Sequence, residues 1–433
     1  MLVLNRRHFF RQIASVCFTA KFLPLFGDPD IPVGCSEPQL ASDDPAHSSK
    51  QSSDIEKPIL LTAAATNSTP TPLVAAVDPR PETWNHLPIR ALLMWGPSPE
   101  DVALYCRFIR DALPTEGVNT LVAMFNYGFK FKSHPELAEK RSLSREQVRE
   151  ILRACRDAGV KLIPAMNLLA HQSEGEEIGI LLKNYPQFDE SPDYGPPHPW
   201  HAGGQFDFYS KCLCPRHPDL LKVIFPLMDE LIEACEADAF HVGLDEAWIV
   251  AHDKCPRCGG RDPAEVFAKY TTQLHDHLEE KGCRTWMWSD RLIDGKETGL
   301  LAWQASMNNT HRAIDMIPKD IMICDWKYED ASPTPAYFAV KGFDVLPSSC
   351  YNANAALAQL EQVYAVRKNA SRASFSKTIS SRMPGVFATS WMSAKEFIDA
   401  YYETTGVSHT DLAKSTTRTF KQLFAEVRKN QSA

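Results

Sequence analysis

Ala239-Phe240-His241-Val242-Gly243-Leu244-Asp245-Glu246 is an apolar run that ends in two adjacent acids. Such a run is apolar at successive positions, as a strand buried on both faces of a parallel sheet must be. Seven more runs share this character, giving the set 89–95, 120–125, 161–167, 239–245, 284–290, 321–326, 344–350 and 386–391. Amphipathic stretches separate them. One starts at Ser144 with Gln147 three residues later, a capping-box spacing, and ends before Gly159. The stretches 220–237 and 263–281 read as helices too, with Gly282 stopping the second. Eight alternations of strand and helix predict an α/β fold, a (β/α)₈ TIM barrel over residues 86–433. An open doubly wound sheet is the competing architecture, but no strand here opens into a Gly-rich phosphate loop.

Asn167, Asp245, Asp290, Trp326, Asn352 and Trp391 stand at, or just beyond, the C-terminal ends of their strands. In a barrel those ends converge on one mouth, where chemistry is done. Asp245 and Glu246 are the candidate catalytic pair. Adjacent carboxylates at a strand end point in different directions, because strand side chains alternate. Crowded carboxyls in an apolar pocket do not both ionise easily, so one can donate a proton, as glycosidic cleavage requires. The alternative is a surface Asp-Glu pair that caps a helix. Nine Trp suit a sugar site, because indole faces stack on apolar C–H faces, although core packing also uses them.

From these residues the chain resembles the family 20 glycoside hydrolases, the β-N-acetylhexosaminidases. The family's His-x-Gly-Gly-Asp-Glu signature is similar to residues 241–246, with Leu244 in place of the second Gly. The stretch from Ile163 through Asn167 to His171 resembles the third-strand motif, and Trp286-Met287-Trp288-Ser289-Asp290 the fifth. Leu213-Cys214-Pro215 resembles the lead into the catalytic strand, and Trp326, Tyr351 and Trp391 fall at strands six, seven and eight. The likeness covers roughly 88–400 and implies substrate-assisted retention. Glu246 would act as general acid and then general base. Asp245 would orient the substrate acetamido group, whose oxygen attacks the anomeric carbon, and Tyr351 would hold that oxygen. Trp288, Trp326 and Trp391 would wall the sugar. His171, Asn167, Asp290 and His241 complete the expected substrate-binding set, and no cofactor is required.

The likeness has gaps. The family's sugar-binding Arg after strand one is absent, with Pro97-Ser98 there and Arg90 too early. Asn167 replaces an Asp, Asn126-Tyr127 an acidic pair, and Trp391-Met392-Ser393 a Trp-x-Glu. These losses predict an altered or larger sugar substrate, or a non-catalytic carbohydrate-binding barrel of the same descent. The expected partner is an oligosaccharide or glycoconjugate.

Composition sets the remaining bounds. With 44% hydrophobic and 23% charged residues the chain is of ordinary globular type. Its net charge of −8, with scattered Lys and Arg, lacks the basic stripe of a nucleic-acid binder. Asn5-Arg6-Arg7-His8-Phe9-Phe10-Arg11 and the apolar stretch after it read as a twin-arginine-like export signal over 1–35, too short to serve as a transmembrane anchor. Val33-Gly34-Cys35 is a weak lipoprotein-like end. Residues 36–85 have the Ser, Ala, Asp, Thr and Pro content of a disordered linker, and the small α/β domain that precedes the family's barrel has no room there. The expected location is periplasmic or extracellular.

Two segments remain. Cys212, Cys214, Cys255 and Cys258 can make a structural zinc site, disulfides or free thiols; the spacing does not decide among them. Cys17, Cys106, Cys155, Cys235, Cys283, Cys324 and Cys350 read as signal or core residues. Residues 171–211 are too long for an ordinary barrel loop. Their Tyr194, His198, Trp200, His201, Phe206 and Tyr209 suggest a lid or subsite wall, or else a packing insertion.

Overall fold

The computed structural model describes residues 83–174, 177–193, 198–200, 206–208, 210–370 and 377–432. The proposed export signal, Cys17, the lipoprotein-like Cys35 and nearly all of the linker lie outside these residues, as do Tyr194, His201 and Tyr209.

Eight parallel strands close into a barrel: β1 Ile89–Trp95, β2 Thr120–Met124, β3 Lys161–Ala165, β4 Ala239–His241, β5 Arg284–Trp288, β6 Met322–Trp326, β7 Asp344–Ser349 and β8 Gly385–Thr389. Each neighbours the next, and β8 returns to β1 with Ile89 opposite Gly385. The main surrounding helices are α1 Val102–Glu116, α2 Arg145–Asp157, α3 Leu220–Cys235, α4 Pro263–Glu280, α5 Thr334–Val340, α6 Ala353–Ala370, α7 Ala394–Tyr402 and α8 Asp411–Gln431. Helix α2 starts with the capping box foreseen at Ser144 and Gln147, which satisfies two otherwise orphaned N–H groups.

The strands are apolar throughout because both of their faces are buried. Ala91, Leu93, Val122, Met124, Ile163, Ala165, Trp286, Trp288, Met322, Cys324, Leu346 and Phe387 fill the lumen. Their alternates, among them Leu92, Leu121, Leu162, Phe240, Met287, Ile323, Val345 and Val386, pack in the outer core that includes the helices. The β8–β1 seam requires a glycine: a Cβ on Gly385 would lie 1.7 Å from the Ile89 carbonyl oxygen. The two-residue period also places Trp95 and Trp326, the last residues of β1 and β6, over the lumen at the C-terminal mouth.

The segment after β3 carries two antiparallel hairpins, Ser173–Glu174 with Glu177–Ile178 and His198–Trp200 with Phe206–Phe208, and a short helix Ile180–Asn184. Its ends are pinned to each other: the N–H of Gln172 donates to the carbonyl of Lys211 at 3.1 Å.

Candidate active site

Strand β4 stops at His241, four residues short of the expected end. The chain then leaves the sheet through left-handed backbone at Gly243 (φ 73°), Leu244 (φ 71°) and Glu246 (φ 51°). A Cβ on Gly243 would sit 2.9 Å from Asn167 Oδ1 and 3.0 Å from the Met166 carbonyl oxygen, so glycine is required here. Leu244 adopts the same region with a full side chain, at a cost of about 1–2 kcal/mol. Strand alternation therefore does not splay the two acids apart. Asp245 and Glu246 converge on one imidazole: His171 Nε2 lies 3.1 Å from Asp245 Oδ2 and 3.5 Å from Glu246 Oε2.

His171 is itself held in left-handed backbone at φ 61°, and Ser210 Oγ accepts its N–H. The adjacent Gln172 is locked by Tyr127, whose hydroxyl donates to Gln172 Oε1 at 3.0 Å, while Nε2 donates to the carbonyls of Asn167 and Ala170. Four strained non-glycine residues, Asn126, His171, Leu244 and Glu246, thus lie at the ends of β2, β3 and β4. Such strain persists only where the surrounding structure over-determines it, and it concentrates at functional sites.

Four residues of the expected substrate-binding set, Asp290, His241, Trp288 and Asn167, are buried in this structure. Asp290 has no exposed surface. Its oxygens accept from the Glu246 N–H at 2.9 Å, Arg291 Nε at 2.7 Å and Trp326 Nε1 at 3.2 Å, so it positions the acid and an indole. His241 faces the lumen, where the β4 period directs it, and lies 4.5 Å from the Trp288 ring. Burial pushes its pKa down to about 3, against the opposing charge of Asp245, so it is neutral. Its Nδ1 accepts from the Gly243 N–H at 3.1 Å, which puts its proton on Nε2. Trp288 is fully buried and stacks on Phe387 at 5.7 Å and 11°. Asn167 is buried, with its Oδ1 against Gly243 and its N–H donated to Asn126 Oδ1.

The half-buried aromatics at the mouth are Trp95, Trp326 and Trp391. Trp391 Nε1 donates to the Tyr328 hydroxyl at 2.7 Å, and Thr389 Oγ1 donates to the same oxygen at 3.2 Å. The Tyr328 ring lies 5.3 Å from Trp326 and 6.0 Å from Tyr351. Burial is the main reason that the Tyr328 phenol stays protonated, and the charge of Asp245 adds to it. Tyr351 stands at the rim, where its hydroxyl donates to Glu329. Sequence reasoning missed Trp95 and Tyr328. Trp95 was legible as the aromatic closing the first apolar run; Tyr328 continues the two-residue period of Met322, Cys324 and Trp326 but lies past the end of the apolar run.

Arg90 is tied to the carbonyls of Leu87 and Gly117 at the opposite end of the barrel. The four paired cysteines do not meet: Cys214, Cys255 and Cys258 cluster with Glu190, whereas Cys212 packs into the outer apolar core. Leu213 pairs with Asp189 in an antiparallel bridge, and the Glu190 N–H donates to the Cys212 carbonyl. The core reading of Cys106, Cys155, Cys235, Cys283, Cys324 and Cys350 agrees with their burial.

The family model of the glycosyl hydrolase family 20 catalytic domain matches residues 118–404. No curated protein matches the sequence. Among solved structures, a Flavobacterium johnsoniae chitobiase is similar at 17% identity and a TM-score of 0.52, over 80% of this chain and 53% of that one. A GH20 exo-β-N-acetylglucosaminidase from Vibrio harveyi is similar at 16% identity and a TM-score of 0.50, over 80% and 58%. A β-N-acetylhexosaminidase is similar at 14% identity and a TM-score of 0.54, over 80% and 75%. The chain thus spans about half the length of the chitobiase, and the likeness concerns the fold.

Proposed function

Because the chain belongs to glycosyl hydrolase family 20, we propose that it releases β-linked N-acetylhexosamine from a glycan or glycoconjugate by retaining, substrate-assisted catalysis. The observation that carries this reading is the convergence of Asp245 and Glu246 on His171 beside the half-buried Trp326 and Trp391. Glu246 protonates the glycosidic oxygen as the bond to the anomeric carbon breaks. The acetamido oxygen of the substrate closes onto that carbon, and Asp245 accepts the acetamido N–H and stabilises the positive charge that develops. Glu246, now a carboxylate, takes a proton from the water that opens the oxazolinium ring. His171 bridges both acids and can hold or pass a proton between them. None of these steps uses a cofactor.

One observation favours a second reading, a carbohydrate-binding barrel without turnover. At the end of β1, Trp95 is followed by Gly96-Pro97-Ser98, and the Arg nearest along the chain, Arg90, is tied down at the far end of the barrel. A panel of aryl glycosides with and without the N-acetyl group separates the two. Hydrolysis confined to N-acetyl substrates, with kcat reduced by about 10²–10⁴ in Glu246→Gln, is the expected result. A mutation without effect removes Glu246 as the acid, and no turnover of any glycoside supports the second reading. A thiazoline that mimics the oxazoline should bind wild type tightly and Asp245→Ala weakly; equal binding rejects the role of Asp245. Export to the periplasm or beyond belongs to the same proposal, supported by Arg6-Arg7 and the apolar stretch that follows.

A further inference from the structure

We infer that Glu190, Cys214, Cys255 and Cys258 form a tetrahedral zinc site that staples together three segments beside the active site. Their ligand atoms lie within 4.8 Å of one another and all four residues are buried. Cys214 Sγ is 3.6 Å from both Cys255 Sγ and Cys258 Sγ. Tetrahedral zinc with bonds of about 2.3 Å to sulfur requires sulfurs about 3.8 Å apart. A disulfide requires about 2.05 Å. The observed spacing excludes a disulfide and lies close to that of ligands around an ion.

The local backbone is built for the same task. Cys-Pro-Arg occurs twice, at 214–216 and 255–257, and Arg216 Nε donates to the Arg257 carbonyl at 2.9 Å, tying the two copies together. The Cys258 N–H donates to Cys255 Sγ at 3.4 Å. N–H groups aimed at sulfur stabilise thiolates. The turn beyond admits only glycine at Gly259, where a Cβ would lie 2.4 Å from the Asp253 carbonyl oxygen. Glu190 is oriented by the His252 N–H, which donates to Oε1 at 3.1 Å, and Oε2 is buried without a hydrogen-bond partner. Three thiolates select a soft cation, and four protein ligands leave no open position, so the ion is structural.

The site also supplies what the packing lacks. Among the described residues, the apolar cluster around these cysteines contains, besides them, only Ala251 and Val266. Yet it joins the long segment after β3 through Glu190, the lead into α3 through Cys214, and the loop from Glu246 to α4 through Cys255 and Cys258. Cross-links replace a core where a region is too small to build one.

Metal analysis of the purified full-length chain, before and after incubation with zinc alone, tests this. Wild type and Cys212→Ser are expected to hold one zinc per chain, and Cys258→Ser at least tenfold less. Cobalt(II) in place of zinc should give an intense sulfur-to-metal absorption in wild type, with Glu190→Gln shifting the weaker ligand-field bands. If Cys258→Ser does not fold, zinc release from wild type by a mercurial thiol reagent is the readout. Reduced thiols that take up no zinc, a disulfide from Cys214 found by mass analysis after alkylation, or full zinc in Cys258→Ser would each overturn the inference.

Discussion

At the scale of single residues, the site is a set of polar groups placed over a closed floor. His241 makes the point. It begins the signature hexapeptide, yet it lies in the lumen against Trp288 and is neutral because burial refuses the charge. Its folded pKa of about 3 lies below the ordinary 6.5, so above pH 6.5 the group adds no pH dependence. As pH falls from 6.5 towards 3, the unfolded chain takes up a proton that the folded chain rejects, and stability drops by about 1.4 kcal/mol per pH unit. Urea unfolding at pH 7.5 and pH 5 should therefore show about 2 kcal/mol more acid destabilisation in wild type than in His241→Gln. Equal losses would mean that His241 is protonated in the folded state. Asp290 carries a related lesson. An acid at a strand end looks like a substrate ligand in sequence, but its three donors come from Glu246, Arg291 and Trp326. Whether such a residue faces the sugar or the protein depends on neighbours from other strands.

At the scale of elements, strand starts and the apolar two-residue period were more legible than strand ends. The runs at β1, β2, β3, β4, β5 and β7 begin where the structure begins them, and those at β1 and β6 end where it ends them. The ends of β3, β4 and β5 come earlier than hydrophobicity implied, because the chain turns upward into the mouth while still apolar: Met166, Val242 and Leu244 are buried although outside the strands. Gly385, left out of the last strand by its lack of a side chain, is its first residue and the contact that closes the barrel. Gly385→Ala must push β8 away from Ile89. The expected loss is about 1–3 kcal/mol in urea unfolding, with the midpoint lowered and the slope unchanged. A midpoint equal to that of wild type would show that the seam can yield.

At the scale of the molecule, the ring of helices is as necessary as the lumen. Helix α8 buries Phe420, Leu423, Phe424 and Val427, and Arg428 donates to Glu116 of α1 at 2.7 Å. Four buried apolar side chains contribute about 6–12 kcal/mol together, comparable with the whole stability of a typical domain. A chain ending at Thr410 is therefore expected to lose cooperative thermal unfolding and to accumulate as aggregate; a soluble product with a sharp transition would show that the barrel stands without α8.

The barrel, the Asp245-Glu246 pair and the aromatic richness of the mouth were legible along the chain, because burial on both strand faces writes itself into composition and period. It took the folded molecule to bring His171 to both acids, Tyr328 to Trp326 and Trp391, and Glu190 rather than Cys212 to the cysteine cluster. Those choices are made by segments far apart along the chain. A lone glutamate on a long loop has no period, and its meaning comes from the three sulfurs that folding brings to it.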